Sequence, residues 1–295
     1  MAIFETNIKS SLHLRSNSLP STPHPLVSQF EDNLHKLKSF ESTSTVSSSS
    51  VCNKLNGTQD LHDCIDKLLQ LHYEQLALAQ ECNEKCVDDL LEGSLRILDI
   101  CSIVNDCLLL SKENIHELQS VIRRSGHDTR FKVDGVKYMA LRKNIKKQIR
   151  KAMLKLKAMK NELKASSSSN KNNNSSTVFG ILKEAESVTL CSLEHLLLFI
   201  YDPKGCAKYS RWSAISKLMH SKRAVCDSLE SETNEFKKVD SDLQSLIIQK
   251  PSSTETFQSH MEDLEICIQD LEIGVEQISR KLIRNRVSLL NIFNH

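Results

Sequence analysis

Cysteine and histidine are the residues of this sequence that could hold a metal ion, and the chain contains 10 of the first and 11 of the second. Cys82 and Cys86 are four residues apart, which places them on one face of a helix. A zinc site needs four converging ligands, and a second pair would have to come from His62, Cys64 and His72. Cysteine is also among the most buried residue types. We therefore predict core cysteines and no metal site.

Motifs of known catalytic sites are missing from the sequence. It contains no glycine-rich phosphate loop, no Gly-x-Ser-x-Gly nucleophile elbow and no His-Glu-x-x-His zinc motif. The histidines are scattered singly, and His195 lies within a leucine-rich segment, which favours a packing role over that of a general base. We predict a protein that is not an enzyme, with no catalytic residue and no cofactor.

A phosphorylation motif, RSNSLP, occupies residues 15–20 in a serine-rich stretch. Arg15 lies three residues before Ser18, as basic-directed kinases prefer, and Pro20 completes the R-S-x-S-x-P pattern that 14-3-3 proteins bind once the serine is phosphorylated. Ser18 is therefore a candidate docking site for 14-3-3 proteins. The alternative is a chance match in a serine-rich tail.

Basic residues are concentrated in the middle of the chain. The segment 123–164 has 15 Lys and Arg against 3 Asp and Glu, a net charge of +12, whereas the whole chain has a net charge of +2. The remainder therefore carries a net charge of −10. This separation of charge is the clearest electrostatic feature of the sequence.

Residues 137–164 place this positive charge around an apolar helical stripe. The residues that we select as a candidate basic surface are Lys143, Lys146, Lys147, Arg150 and Lys151. Such a helix could lie on an anionic membrane, bind an acidic protein or serve as a calmodulin target. Nucleic acid is a weaker candidate partner, because no aromatic residues are interleaved with the charges. The remaining interpretation is that the stripe packs into a bundle and the charged face is only solvated.

The segment Glu81–Ser125 is predicted to be the central helix that positions these surfaces. Apolar residues recur along it at alternating spacings of three and four, as in a helix packed along one seam. Between Ile97 and Leu110 they extend round the whole helix, so we expect neighbours on every side. Gly93 is a candidate bend.

The rest of the chain also predicts helices, so we expect an all-α, elongated multi-helix bundle with coiled-coil-like packing. Residues 1–24 are predicted to be a disordered arm, and the serine and asparagine-rich residues 166–176 a disordered linker. These separate a helical part over 25–165 from another over 177–295, which together form one bundle domain. Pro25 opens the first short helix, the run Ser39–Ser50 is too polar to pack, and a loop carries Gly135.

No apolar segment at the start of the chain suits a secretory signal, and no apolar run reaches the length of about 18 residues that spans a bilayer. We therefore expect a cytoplasmic protein with reduced cysteines, either free or peripherally bound to a membrane, and not a secreted one. A plastid transit peptide is an alternative, because the first 25 residues are serine-rich and poor in acid.

Five stretches of the chain are similar to one known family: SLHLRSNSLPSTPHPL, VDDLLEGSLRILDIC, KENIHELQSVIRRS, KYMALRKNIKKQIRKAM and LIRNRVSLLNIFNH. On these stretches the chain resembles the plant-specific BYPASS-like family, catalogued as domain of unknown function 241. The resemblance spans nearly the whole chain. Cys86 departs from it, since a large aromatic residue is expected there.

The resemblance implies a role in root and shoot development, and it supplies no catalytic residue because the family has no established enzymatic role. We expect a protein that acts by binding partner proteins. The alternative is a peripheral membrane adaptor that binds anionic lipid or an acidic partner through residues 137–164.

Overall fold

The computed structural model describes residues 24–39, 47–125, 129–169, 178–201, 234–248 and 254–294. The regular structure of these ranges is entirely helical, and the all-α prediction is confirmed. The eight helices are α1 Pro25–Ser39, α2 Ser48–Leu68, α3 His72–Glu81, α4 Glu84–Ser125, α5 Thr129–Ser169, α6 Val178–Tyr201, α7 Glu235–Ile247 and α8 Thr254–Phe293.

The first two helices begin at residues suited to a helix start. Helix α1 opens at Pro25, as predicted, and buries Phe30 and Leu37. Helix α2 is capped by Ser47, whose hydroxyl accepts a hydrogen bond from the Ser50 amide at 3.3 Å. The last three residues of the run predicted to be too polar to pack are therefore helical. That prediction is wrong for residues 48–50, where the Ser47 hydroxyl satisfies one of the free amides of the first turn, that of Ser50.

Helix α4 runs for 42 residues and is shorter at its start than predicted. Helix α3 ends at Glu81, and the Asn83 side chain then caps α4 by accepting a hydrogen bond from the Cys86 amide at 2.9 Å. Helix α4 continues through Gly93, so the helix is not interrupted at this candidate bend. Gly93 instead gives room to Glu186 of α6, whose Oε1 would lie 2.4 Å from an added Cβ.

Helix α4 is central, as predicted, and packs against α5, α6 and α8. Ile97, Val104 and Leu108 are fully buried there. The expectation of neighbours on every side is wrong for Leu109 and Leu110, which are 50% and 40% exposed. Apolar side chains on the outer side of a helix are ordinary in soluble proteins, so the all-round apolar pattern overstated how completely α4 is covered.

Helix α5 is longer at both ends than the sequence predicted. It includes Gly135, which was expected in a loop, and this glycine lets α7 approach: an added Cβ would lie 3.1 Å from Ile247 Cδ1 and 3.2 Å from Leu243 Cδ1. Helix α5 also continues to Ser169, so the linker predicted for 166–176 begins at least four residues too early. Adding serines to an established helix costs little, since nucleation is the expensive step. The rest of that predicted linker lies outside the described residues.

The core is made of two clusters. The larger one joins residues of α2, α4, α5, α6, α7 and α8, including Val104, Ile149 and Phe236. The smaller one surrounds α1 and α3 and uses one end each of α2, α4, α6 and α8. Helices from before and after residues 170–177 contribute to both clusters. The predicted N-terminal arm lies outside the described residues, apart from His24.

Candidate functional site

The apolar stripe of α5 lies in the core of the bundle. Its buried members are Tyr138, Ile145, Ile149, Ala152, Leu156 and Met159, all packed in the larger cluster. Leu141 departs from the predicted stripe, because it is 37% exposed. The amphipathic pattern is thus used to attach α5 to α4, α6 and α7. The stripe is not available to insert into a membrane or to fill the groove of a calmodulin-like partner.

Four of the five predicted basic residues are exposed on the outer side of α5: Lys143, Lys147, Arg150 and Lys151. We call these four residues the outward basic face. None of them forms an ion pair with another residue in the described ranges. Arg150 donates a hydrogen bond to the Tyr201 hydroxyl at 3.0 Å, and its guanidinium lies 5.5 Å from the centre of that ring.

Lys146, the fifth predicted residue, has a different role. Its ammonium lies 3.1 Å from Asp240 Oδ2 of α7, and its side chain is only 24% exposed. Unlike the other four predicted basic residues, Lys146 is therefore paired within the chain. Lys143 and Arg150 point outward, whereas Lys146 lies on the flank of α5 next to α7, and counting charges along the sequence does not reveal this difference.

A buried polar cluster centred on Arg142 attaches α7 and the end of α6 to α5. Arg142 Nε donates to Asp240 Oδ2 at 3.3 Å, and its Nη2 donates to the Ile200 carbonyl at 2.5 Å. The guanidinium lies 4.4 Å from the centre of the Phe236 ring. Arg142 Nη1 is buried and has no hydrogen-bond partner among the described residues.

Tyr138 completes this cluster. Its hydroxyl donates to Asp240 Oδ1 at 3.4 Å, and burial, followed by the negative charge of Asp240, raises the pKa of the phenol. This cluster was not predicted from the sequence. A signal was present, because Arg142 lies four residues after Tyr138 and three before Ile145 and so follows the apolar stripe.

Other charges of α5 are paired within the chain. Lys137 lies 2.5 Å from Glu117 of α4, and Lys160 lies 2.5 Å from Glu194 of α6. Glu162 accepts from Arg96 at 2.6 Å, and this hydrogen bond lowers the pKa of its carboxyl. The basic segment is therefore partly neutralised at its flanks, while the outward basic face is not.

The candidate metal-binding residues do not converge. In the part of the chain that the structure describes, no three Cys, His, Asp or Glu side chains are grouped to hold a metal ion. Cys64, Cys101 and Cys267 are buried, as expected of core cysteines, whereas Cys191 is half-buried. Burial raises the pKa of the Cys82 and Cys101 thiols to about 11, so both are protonated at neutral pH.

Both ring nitrogens of His62 form hydrogen bonds. The Thr189 hydroxyl donates to the Ala185 carbonyl at 2.6 Å, so it accepts from His62 Nε2 at 2.9 Å. His62 Nδ1 then accepts from the Asn285 amide at 3.1 Å. A cavity of about 40 Å³ adjoins these groups, which is room for water molecules rather than for a cofactor.

His195 lies half-buried on α6, with Ser50 Oγ 3.4 Å from its Nε2 and the Lys54 ammonium 3.4 Å from its Nδ1. Burial, and then the positive charge of Lys54, lowers the pKa of the ring to about 4. The arrangement matches the packing role that the sequence suggested. The candidate docking residues Arg15, Ser18 and Pro20 lie outside the described residues. No helix in the described ranges is long and apolar enough to cross a membrane.

The chain matches a protein-family model over most of its length. The family model described as Protein BPS1 matches residues 54–292, which run from α2 almost to the end of α8. The searches of curated proteins and of solved structures found no match. The matched region includes the outward basic face and the Arg142 cluster.

Proposed function

The chain belongs to the BPS1 family, and from this premise we propose that it acts in root and shoot development as a non-catalytic protein that binds acidic protein partners through the outward basic face. Family membership supports a role related to plant development. The partner-binding role rests on one observation: the outward basic face carries positive charge that no described acid neutralises.

Two properties of this face favour a protein partner. Its charged side chains project from a helix whose apolar side is packed in the core. The spacing of the charges is therefore set by the fold before a partner binds. The buried stripe itself is packed in the core and is not available for insertion into lipid. A partner with a complementary acidic surface would be steered to it, and binding would weaken as salt rises.

The test compares three proteins in affinity purification from plant roots, with captured proteins quantified by mass spectrometry. They are the wild type, a variant with Lys143, Lys147, Arg150 and Lys151 changed to Gln, and a control with Lys36, Lys67, Lys85 and Arg124 changed to Gln. The control removes four exposed positive charges elsewhere. Lys146 is kept in all three, because it binds Asp240.

We expect acidic proteins that elute with salt to be retained by the wild type and the control, and lost with the first variant. Folding is checked by circular dichroism. An identical set of captured proteins for all three would contradict the proposal.

An anionic membrane is the second candidate, favoured by Leu154, which is 65% exposed among these charges. Each Lys or Arg near an anionic lipid surface contributes about 1 kcal/mol. The same three proteins are sedimented with vesicles of phosphatidylserine or phosphoinositide, and with phosphatidylcholine vesicles as the neutral control. Failure of the wild type to bind anionic vesicles at low salt would exclude this candidate.

A further inference from the structure

Four acidic residues lie at intervals of seven along the outer side of α4: Glu92, Asp99, Asp106 and Glu113. All four are exposed, and none forms an ion pair with another described residue. A spacing of seven keeps residues on one side of a helix, with a drift of about 20° per interval. We call this set the acidic row.

Four basic residues lie at the same interval along α5: Lys143, Arg150, Lys157 and Lys164. They are also exposed, and within the described ranges none of them has an ion-pair partner. We call this set the basic row, and it shares Lys143 and Arg150 with the outward basic face. The first and last residues of each row are 21 positions apart, or about 32 Å along the helix.

The two rows lie at matching heights in the molecule. Helices α4 and α5 are antiparallel neighbours, linked by Arg96 to Glu162 at 2.6 Å and by Glu117 to Lys137 at 2.5 Å. Heights along the two helices can be interpolated linearly between these two ion pairs. This places Asp106 of α4 at the same height as Arg150 of α5. The other three acids fall level with the other three bases to within about one helical turn. Although α4 and α5 are neighbours, no ion pair within the described ranges joins the two rows.

We propose that a second copy of this chain binds here, with the acidic row of each copy against the basic row of the other. A twofold axis parallel to α4 and α5 exchanges the two helices and preserves height along them. Each acidic residue of one copy then faces a basic residue of the other. The twofold axis repeats this contact between the two remaining rows, so the interface is closed and symmetric. The proposal rests on the proposed function, since it names a second copy as the acidic partner of α5.

Charge, period and apolar surface all favour a second copy over an unrelated protein. The partner of the basic row must present acids at intervals of seven over about 32 Å, and the acidic row of this chain does so. Leu95, Leu109 and Leu154 are 44%, 50% and 65% exposed beside the rows, and the contact would cover them. Exposed ion pairs are individually weak, so the association is expected to be reversible and sensitive to salt.

The experiment measures self-association of the full chain by sedimentation velocity over a range of concentrations. The wild type should dimerise, with a Kd at least about tenfold weaker at 1 M than at 0.1 M salt, because the screening length falls from about 10 Å to about 3 Å. A wild type that stays monomeric at all concentrations in low salt would overturn the inference.

Two charge-reversal variants test the pairing itself. In one, the four acids of the acidic row become Lys; in the other, the four residues of the basic row become Glu. Each variant alone should be monomeric, because like charges then face each other. An equimolar mixture should form a heterodimer, because every pair is again of opposite sign. Failure of the folded variants to associate on mixing would overturn the proposed pairing.

The matched control changes Glu255, Glu262, Asp263 and Asp270 of α8 to Lys, since these acids are also exposed and unpaired among the described residues. This control should dimerise like the wild type. The acidic-row variant also separates the two proposals, because its outward basic face is intact. If the wild type is monomeric, but the wild type and the acidic-row variant both still capture acidic partners, only the proposed dimer is contradicted. If neither captures them, the proposed function fails as well.

Discussion

Arg142 shows how one residue of a basic helix can belong to the core rather than to the surface. Its side chain is 3% exposed and faces Asp240, whose side chain is 8% exposed. A buried pair of this kind contributes little net stability relative to apolar residues of the same size, but loss of one partner leaves a charge uncompensated in the core. The pair therefore specifies where α7 attaches to α5.

We expect Asp240→Asn to destabilise the protein by about 3 kcal/mol, since the buried Arg142 loses its counter-charge. Lys146→Gln should cost less than about 1 kcal/mol, because that ion pair lies at the edge of the cluster. Urea denaturation followed by circular dichroism measures both. The double variant Arg142→Met with Asp240→Leu should recover most of the loss. Equal stabilities of Asp240→Asn and Lys146→Gln would contradict this assignment.

His62 makes the stability of the protein depend on pH. Burial, and then the positive charge of Lys281, lowers the pKa of the ring to about 4, whereas an unfolded histidine has a pKa of about 6.5. Between these values the unfolded chain binds a proton that the folded protein does not. Stability must therefore fall as pH decreases from about 6.5 to about 4, whereas the protonation of His62 adds no pH dependence of stability above pH 7.

We expect the wild type to lose on the order of 3 kcal/mol of stability through His62 over that window. His62→Gln should show a shallower decline, measured as the free energy of unfolding at pH 7.0 and pH 4.5. His195, whose pKa is lowered in the same direction, contributes less because it is half-buried. The same pH dependence in both proteins would exclude His62 as the cause.

Ser18 carries a prediction that rests on sequence. A peptide covering residues 12–24 and phosphorylated at Ser18 should bind a 14-3-3 protein, since Arg15 and Pro20 complete the motif and the phosphate pairs with clustered arginines. Fluorescence anisotropy compares it with the unphosphorylated peptide, for which no binding is expected. Equal affinity of the two peptides, or binding by neither, ends this hypothesis.

At the level of elements, α4 organises the bundle through the side that faces α5, α6 and α8. Leu108 is fully buried on that side, and Leu109 is 50% exposed next to it. The two residues have the same side chain and lie in the same helix, but one is in the core and the other faces solvent. They are therefore a matched pair for testing the orientation of α4.

We expect Leu108→Asp to prevent folding or to lower the Tm by more than 15 °C, since it puts an unpaired charge in the core, at a cost of about 4 kcal/mol or more. Leu109→Asp should shift Tm by less than about 3 °C, because its carboxylate stays in water. Thermal denaturation followed by circular dichroism compares the two. Similar Tm values for both variants would contradict the orientation of α4.

At the level of the whole molecule, a nearly neutral chain separates its charges between neighbouring helices. Helix α5 carries the outward basic face, while α4 carries the acidic row at the same height. This separation of charge is the basis of the binding proposed above, between copies or to an acidic protein. The net charge of +2 does not reveal it.

Helix α1 precedes the region that matches the family model, which begins at residue 54. It nevertheless buries Val27, Phe30 and Leu37. Deletion of residues 1–46 should therefore cost on the order of 5 kcal/mol, at roughly 2 kcal/mol for each of these side chains. Deletion of residues 1–23 is the control, with an expected Tm change below about 1 °C if that arm is disordered as the sequence predicts. Comparable Tm values for both deletions would show that α1 adds little stability.

The sequence by itself determined the helical class, the position of α4, the buried side of α5 and the family. These properties depend on the period of apolar residues along one helix, which is local in the chain. The glycine at 135 and the serines at 166–169 misled the prediction of boundaries, because their propensities are weak against the cooperativity of a long helix.

Only the tertiary structure decided which charges of α5 are free to bind. Lys146 and Lys143 look equivalent in the sequence. In the folded protein Asp240 of α7 pairs with Lys146, whereas no acidic residue in the described ranges pairs with Lys143. Arg142 is buried for the same reason. The environment of a charge is set by residues about 100 positions away in the chain, so no local pattern could have separated the basic residues that hold the bundle together from those that face outward.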